Sequence, residues 1–327
     1  MKSYLALLLT LPILLLTYVQ AEPAGKKPVV FVPVLPYQYV FERIGGDQIE
    51  VHSIVPSGGD PHGYSPSPRQ VTELSKANLI FSGGLPFEGN FFLAMGDGVN
   101  SPKTIDLLEG LDLLAGSCEA CEEEHHEDEG KKEKPETNKK DPDHAEDDHD
   151  HDHDHDHDHA GHDHAEGTDS HVWLSPAVLL QQSDRIASIL KEHTPAAAHA
   201  KIDENLAAFK ADLETIDQEL KTQLTPIKGR SFYVYHGAFA YFAREFGLEQ
   251  KVIEIAGRNP TPRQVAAIAK QAKTEGVTTI FVQPQFDETS ALSLAETIGG
   301  TVQTLDPLEK DVLANLRLIA RTLVAKR

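Results

Sequence analysis

Residues 196–224 read AAAHAKIDENLAAFKADLETIDQELKTQL. Ile202, Leu206, Phe209, Leu213, Ile216 and Leu220 follow one another at spacings of three or four, which draws a single apolar stripe along a helix. At about 1.5 Å per residue such a helix runs on the order of 40 Å, long enough to bridge two domains. What it bridges can be read on either side, where apolar β-rich runs alternate with helical ones.

Before the long helix, Val29 to Leu35 (VVFVPVL) reads as a buried strand and Tyr37 to Ile44 as a helix stopped by Gly45-Gly46. Ile49 to Val55 reads as a strand, Pro68 to Ala77 as a helix opened by Ser67-Pro68, and Leu79 to Ser82 as another strand. A charged insert follows. Order resumes at Val172-Trp173-Leu174, and Pro176 to Glu192 is helical in pattern. After the long helix the alternation continues: FYVY, a helix near Ala240 to Phe246, VIEI, and a helix over Pro262 to Glu275. TTIFV, Glu288 to Ile298, TVQTL and Asp311 to Ala325 complete it. The expected fold is α/β, two αβ lobes with mostly parallel sheets joined by a long rigid helix. The N-terminal lobe is expected over 22–195 with the insert at 118–169, the linking helix over 196–224, and the C-terminal lobe over 225–327.

A hydrophobic fraction of 40% in 327 residues is enough for packed cores. The net charge of −21 is unevenly placed. Residues 118–169 hold 22 acidic residues against 5 lysines, a local balance of −17, leaving about −4 for the rest. Phosphate would repel this segment, so nucleic acid is excluded as a partner. The start, MKSYLALLLTLPILLLTYVQA, combines one Lys, an apolar run from Leu5 to Leu16 and a small-residue ending, the pattern of a secretory signal over 1–21 cleaved after Ala21. The alternative, a membrane anchor, requires a longer run. No Cys stands at the cleavage point to carry a lipid, so export to a bacterial periplasm is expected. Cys118 and Cys121 are the only cysteines. In an oxidising compartment a disulfide is the first reading and metal contact the second. Redox catalysis lacks the strand-then-helix setting it needs.

Residues 149–159 read HDHDHDHDHDH, and with His125, His126, His144, His162 and His164 they make the insert a metal-binding tract (His149, His151, His153, His155, His157, His159). Imidazoles two residues apart on a flexible chain can share an ion. With nothing apolar to bury, the segment is expected to be disordered without metal, and ordering it at each binding event lowers its affinity. Its expected part is that of a collector, buffer or sensor; the bland alternative is a solvated acidic loop. Six of the 17 histidines lie elsewhere. His52, His193 and His199 read as structural. His62 lies in a turn-rich loop after a strand, His171 where order resumes, and His236 at the end of a strand, as does Asp306. Ligands gather beyond the carboxyl ends of strands in open α/β sheets. Two candidates from each lobe would meet in the cleft, and three imidazoles with a carboxylate suit zinc. Their separations match no local motif.

The chain resembles the solute-binding proteins of bacterial zinc and manganese ABC importers over nearly all of its length after the signal. The resemblance rests on Gly45-Gly46-Asp47, Val55-Pro56, Asp60-Pro61-His62 and Pro66-Ser67-Pro68-Arg69. It continues through Asp169-Ser170-His171-Val172-Trp173-Leu174-Ser175-Pro176, Tyr235-His236-Gly237-Ala238-Phe239, Pro284-Gln285-Phe286 and Leu305-Asp306-Pro307-Leu308. It implies metal held between the lobes by His62, His171, His236 and a late acidic residue, best matched by Asp306. The third histidine, where manganese-type members carry a carboxylate, and the His/Asp-rich loop both imply the zinc branch. The implied partners are an inner-membrane permease and its ATPase, with this chain acting as a monomer. Gly63, Ser65 and the short passage from Leu308 into Glu309-Lys310-Asp311 depart from the family pattern, so Asp306, a water or an insert histidine is left for the fourth ligand.

Three other readings stand beside zinc capture for import. A manganese-type binding protein would need more oxygen donors. A storage protein or metallochaperone would use the insert as its main site. A zinc enzyme would need a general base, for which Glu254 or Asp60 are available, but no His-Glu-x-x-His, nucleophile elbow or phosphate-cradling loop occurs. With a free imidazole pKa near 6.5, zinc retention is expected to weaken as pH falls through about 6 to 5.

Overall fold

The computed structural model describes residues 26–95, 103–116, 167–255 and 257–325. Cys118, Cys121, the His/Asp-rich tract and the signal segment lie outside these residues. The first sheet is built from β1 (Val29–Val32), β2 (Glu50–Ser53), β3 (Leu79–Ser82) and β4 (Lys103–Asp106), in the order β2-β1-β3-β4. Its helices are α1 (Leu35–Gly45), α2 (Pro68–Leu74), α3 (Pro86–Met95) and α4 (Pro176–Glu192). After α5 (Ala196–Leu224), the second sheet repeats the arrangement with β5 (Ser231–Val234), β6 (Glu249–Val252), β7 (Thr279–Val282) and β8 (Thr301–Thr304), in the order β6-β5-β7-β8. Helices α6 (Ala240–Phe246), α7 (Pro262–Thr274), α8 (Thr289–Ile298) and α9 (Val312–Ala325) cover it. Every strand pair in both sheets is parallel. Among the described residues no helix is long and apolar enough to cross a membrane.

The two αβ units and the long helix match the sequence reading, with differences that have local causes. The first strand stops at Val32, because Pro33 has no N–H to give a ladder and Pro36 opens α1. The run VIEI pairs earlier than expected: β6 is EQKV, and Ile253 and Glu254 continue beyond it. Helix α3 and strand β4 carry no strong periodic signal, and the sequence reading passed over both.

Helix α5 has 29 residues, about 43 Å at 1.5 Å each. Ile202, Phe209, Leu213, Ile216 and Leu220 of its stripe are buried, and the helix packs on α1, α4 and α9. One hydrophobic cluster therefore runs from Val30 and Val32 of the first sheet through α5 to Leu316 and Leu323 of α9. The halves are tied at further points. The buried Trp173 donates its indole N–H to the Pro307 carbonyl at 2.8 Å. The Tyr241 hydroxyl donates to the Asp169 carbonyl at 2.8 Å and accepts from the Leu114 amide at 2.9 Å. Glu245 of α6 caps the start of α4, accepting from the Ser175 hydroxyl and from the Ala177 amide at 3.1 Å.

The joint between α1 and α5 turns on Gly46. It ends α1 at φ 55°, a left-handed backbone that costs an L side chain, and a Cβ there would meet Asn205 Nδ2 at 2.7 Å. That same amide donates to the Ile44 carbonyl at 3.2 Å. Gly46→Ala is expected to destabilise the protein by about 1–3 kcal/mol. Urea unfolding would show this as a lowered midpoint with an unchanged slope.

Candidate metal centre

His236 stands two residues beyond the end of β5, and the sheet register decides its neighbours. Val234 pairs with Val252 of β6 and with Phe281 of β7. Two residues further along, the same register brings Glu254 to one side of His236 and Gln283 to the other. The contacts follow. His236 Nδ1 is hydrogen-bonded to Glu254 Oε1. The Gln283 side chain accepts from the His236 amide at 3.2 Å and donates to its carbonyl at 2.6 Å. Both side chains are buried, so the imidazole is fixed in position and orientation.

His171 is held in a similar way by nearer residues. Asp169 Oδ1 accepts from the His171 amide at 2.8 Å and lies 2.8 Å from its Nδ1. Asp169 is itself anchored, its amide donating to the Leu114 carbonyl at 2.8 Å and its carbonyl accepting from Tyr241. His62 arrives on the loop after β2, where Asp60 Oδ1 accepts from its backbone amide at 2.9 Å. Carboxylates thus occupy Nδ1 of two imidazoles and leave their Nε2 atoms for another partner.

The three histidines meet. His62, His171 and His236 each offer a nitrogen, and these atoms all lie within 4.8 Å of one another. Among the described residues no other group of three or more His, Cys, Asp or Glu converges in this way. Zinc–nitrogen bonds of about 2.0–2.1 Å in a tetrahedral shell put ligand nitrogens about 3.3 Å apart, so modest side-chain rotation closes the set. His236 Nε2 is buried without a hydrogen-bond partner among the described residues. A buried polar atom left unpaired costs free energy that a bound cation would recover. Phe286 stacks on His236 with ring centroids 4.8 Å apart and covers that side of the cluster.

Asp306 stays outside this group. It follows β8, the edge strand beyond β7. Its Oδ1 accepts from the Leu308 amide at 2.9 Å and from Gln285 Nε2 at 3.2 Å. Glu254 and Asp60, the two carboxylates available to a hydrolytic reading, are engaged with His236 and with the loop of His62. The histidines read as structural make local contacts. His52 pairs with Glu50 at 2.9 Å on the edge strand, and His193 and His199 bond the last carbonyls of α4. Sequence reasoning missed the orienting part of Asp169, Glu254 and Gln283. Its spacing of two residues from His171 could have found the first, but Glu254 and Gln283 become neighbours of His236 only once strand order is known.

Comparison with known proteins fits this geometry. Residues 30–325 match the family described as zinc-uptake complex component A, periplasmic (ZnuA). The chain belongs to that family. It is 28% identical over 296 residues to the high-affinity zinc uptake system protein ZnuA of Yersinia pestis, covering 87% of this chain and 84% of that one. It is 26% identical over 294 residues to a putative metal-binding protein of Chlamydia muridarum, covering 89% and 88%. A crystal structure of ZnuA superposes with a TM-score of 0.74 at 30% identity, covering 92% of this chain and 99% of that one.

His62 keeps part of its surface in solvent on its loop, while its ring packs inward, with its centroid 4.5 Å from that of His236, 6.1 Å from that of His171 and 6.4 Å from that of Phe286. Removal of the ring from water, with the two neighbouring imidazoles adding to it, pushes its pKa down to about 3. The window expected from a free histidine therefore moves lower for this one. Between about 3 and the ordinary value near 6.5, the unfolded chain holds a proton at His62 and the folded protein does not. This position therefore lowers stability as pH falls through that interval, and the effect is absent above it. His62→Gln is expected to flatten the pH dependence of the unfolding free energy between about pH 4 and 6.5, read by urea denaturation across the series.

Proposed function

We propose that this chain captures zinc in the periplasm and hands it to a membrane ABC permease driven by its ATPase, acting as a monomer without catalysing a reaction. His62, His171 and His236 are the protein ligands in this reading. The fourth position falls to Asp306, whose Oδ1 is hydrogen-bonded to Leu308 and Gln285, or to a water or a histidine of the insert. The observation that carries the reading is the unpartnered, buried Nε2 of His236 beside two further imidazoles. An all-nitrogen donor set favours zinc over manganese, which leans toward oxygen. The carboxylates of Asp169 and Glu254 hold each ring in the tautomer that presents Nε2 and raise its basicity as a ligand. Residues 1–21 serve as a cleaved export signal without lipid attachment, and the His/Asp-rich tract feeds the folded site.

Capture needs no chemistry beyond this. Neutral imidazoles take zinc from solvent, and ligands already fixed by packing lose little freedom on binding, which favours affinity. Zinc titration calorimetry tests the reading. The wild type and a version with residues 118–166 replaced by a short Gly-Ser linker are both expected to keep one tight site per chain, while the shortened protein loses weaker ones. His236→Ala should abolish the tight site in both. Glu254→Gln is expected to weaken it by about 10–100-fold with the stoichiometry unchanged. Loss of the tight site on shortening, with the fold intact, would move the storage reading ahead.

A further inference from the structure

His171 lacks the support that the second sheet gives His236. It lies on no strand, but between Thr168, which bridges to Ala115, and the 3-10 turn Val172–Leu174. Its hydrogen bonds are local. Its amide and Nδ1 go to Asp169, and its carbonyl accepts from the Leu174 amide at 3.4 Å. These contacts fix the imidazole relative to Asp169 but not relative to His236. The place of the ring therefore depends on what holds the segment at its two ends. Downstream, Trp173 is fastened to the Pro307 carbonyl. Upstream, a single hydroxyl is in charge.

That hydroxyl belongs to Tyr241, which is buried in the first turn of α6 on the chain that leaves His236. It donates to the Asp169 carbonyl at 2.8 Å and accepts from the Leu114 amide at 2.9 Å. The Asp169 amide closes the set on the Leu114 carbonyl at 2.8 Å. A buried tyrosine hydroxyl needs a partner, and here it joins two stretches of chain at once. Burial also pushes its pKa up, so it stays a donor through the neutral range. Arg244, one turn along α6, lies over the Tyr241 ring at 5.2 Å and pairs with Asp112 at 3.3 Å, which brings α6 against the same stretch 112–114. A chain of contacts thus connects the two buried ligands. It runs from His236 along the backbone into α6, through the Tyr241 hydroxyl to Asp169, and from the Asp169 carboxylate to Nδ1 of His171.

We propose that Tyr241 is a positioning residue of the metal centre, its hydroxyl setting the separation of the His171 and His236 nitrogens by holding the Asp169 carbonyl from α6. A ligand set works when it is held to within about 0.5 Å of its productive geometry, and the upstream anchor keeps His171 inside that margin. The proposal rests on the zinc reading above and adds to it a residue that touches neither the metal nor an imidazole nitrogen.

The test compares wild type, Tyr241→Phe, Asp169→Ala and the double variant as full-length proteins, with Gly46→Ala as a variant destabilised away from the cluster. Tight-site zinc affinity is read by competition with a chromophoric chelator and stability by urea unfolding. Donor geometry is read from the visible spectrum of one equivalent of Co2+, which responds to the arrangement of its ligands. Tyr241→Phe keeps the buried ring and removes only the oxygen. It is expected to weaken zinc about tenfold and to alter the Co2+ spectrum, with one tight site retained. Asp169→Ala should weaken zinc by about 10–100-fold, and the double variant no further, because the ring is then already released. Gly46→Ala should lower the unfolding midpoint and leave both metal readouts at wild type. Wild-type affinity and spectrum in Tyr241→Phe overturn the proposal, as do losses that multiply in the double variant. Equal weakening by Gly46→Ala also overturns it, because lost stability would then account for the effect. If the wild type itself shows no tight site, the zinc reading falls and the proposal with it.

Discussion

An imidazole has two nitrogens, and this fold satisfies one of them on each of its two buried histidines. Asp169 takes Nδ1 of His171 and Glu254 takes Nδ1 of His236, both carboxylates being buried. The other nitrogens converge with that of His62, and the one on His236 has no hydrogen-bond partner among the described residues. Much of the remaining structure can be understood as keeping that geometry in place: Gln283 gripping both backbone groups of His236, and Tyr241 with Leu114 anchoring Asp169.

Such a cluster needs its two halves held in register, and the molecule ties them at several levels. The stripe on α5 runs a continuous core beneath both sheets. Trp173 reaches across to Pro307, Glu245 caps α4, and Lys310 pairs with Glu42 at 2.8 Å. The energetic advantage is that little order has to be created at the moment of capture.

The legibility of the sequence followed the strength of local signals. The stripe from Ile202 to Leu220 and the Ser67-Pro68 and Pro262 helix starts carry their structure in adjacent residues, and the elements there match closely. His62, His171 and His236 were legible as loop and strand-end histidines, although their meeting depends on tertiary structure. Strand β4 and helix α3 were invisible because their burial comes from neighbours rather than from periodicity. Asp306 shows the limit most clearly: its place at the end of a strand was legible, whereas its hydrogen bonds to Leu308 and Gln285 were not.

The row Glu254–His236–Gln283 has a consequence for how cargo preference can change. A metal that prefers oxygen would call for a carboxylate at position 236. Placed there by a single substitution, it would face the buried carboxylate of Glu254, an acceptor where the present imidazole offers an N–H, so the hydrogen bond that orients position 236 would be lost. Preference is therefore a property of a pair of neighbouring strands, in which position 254 is matched to position 236.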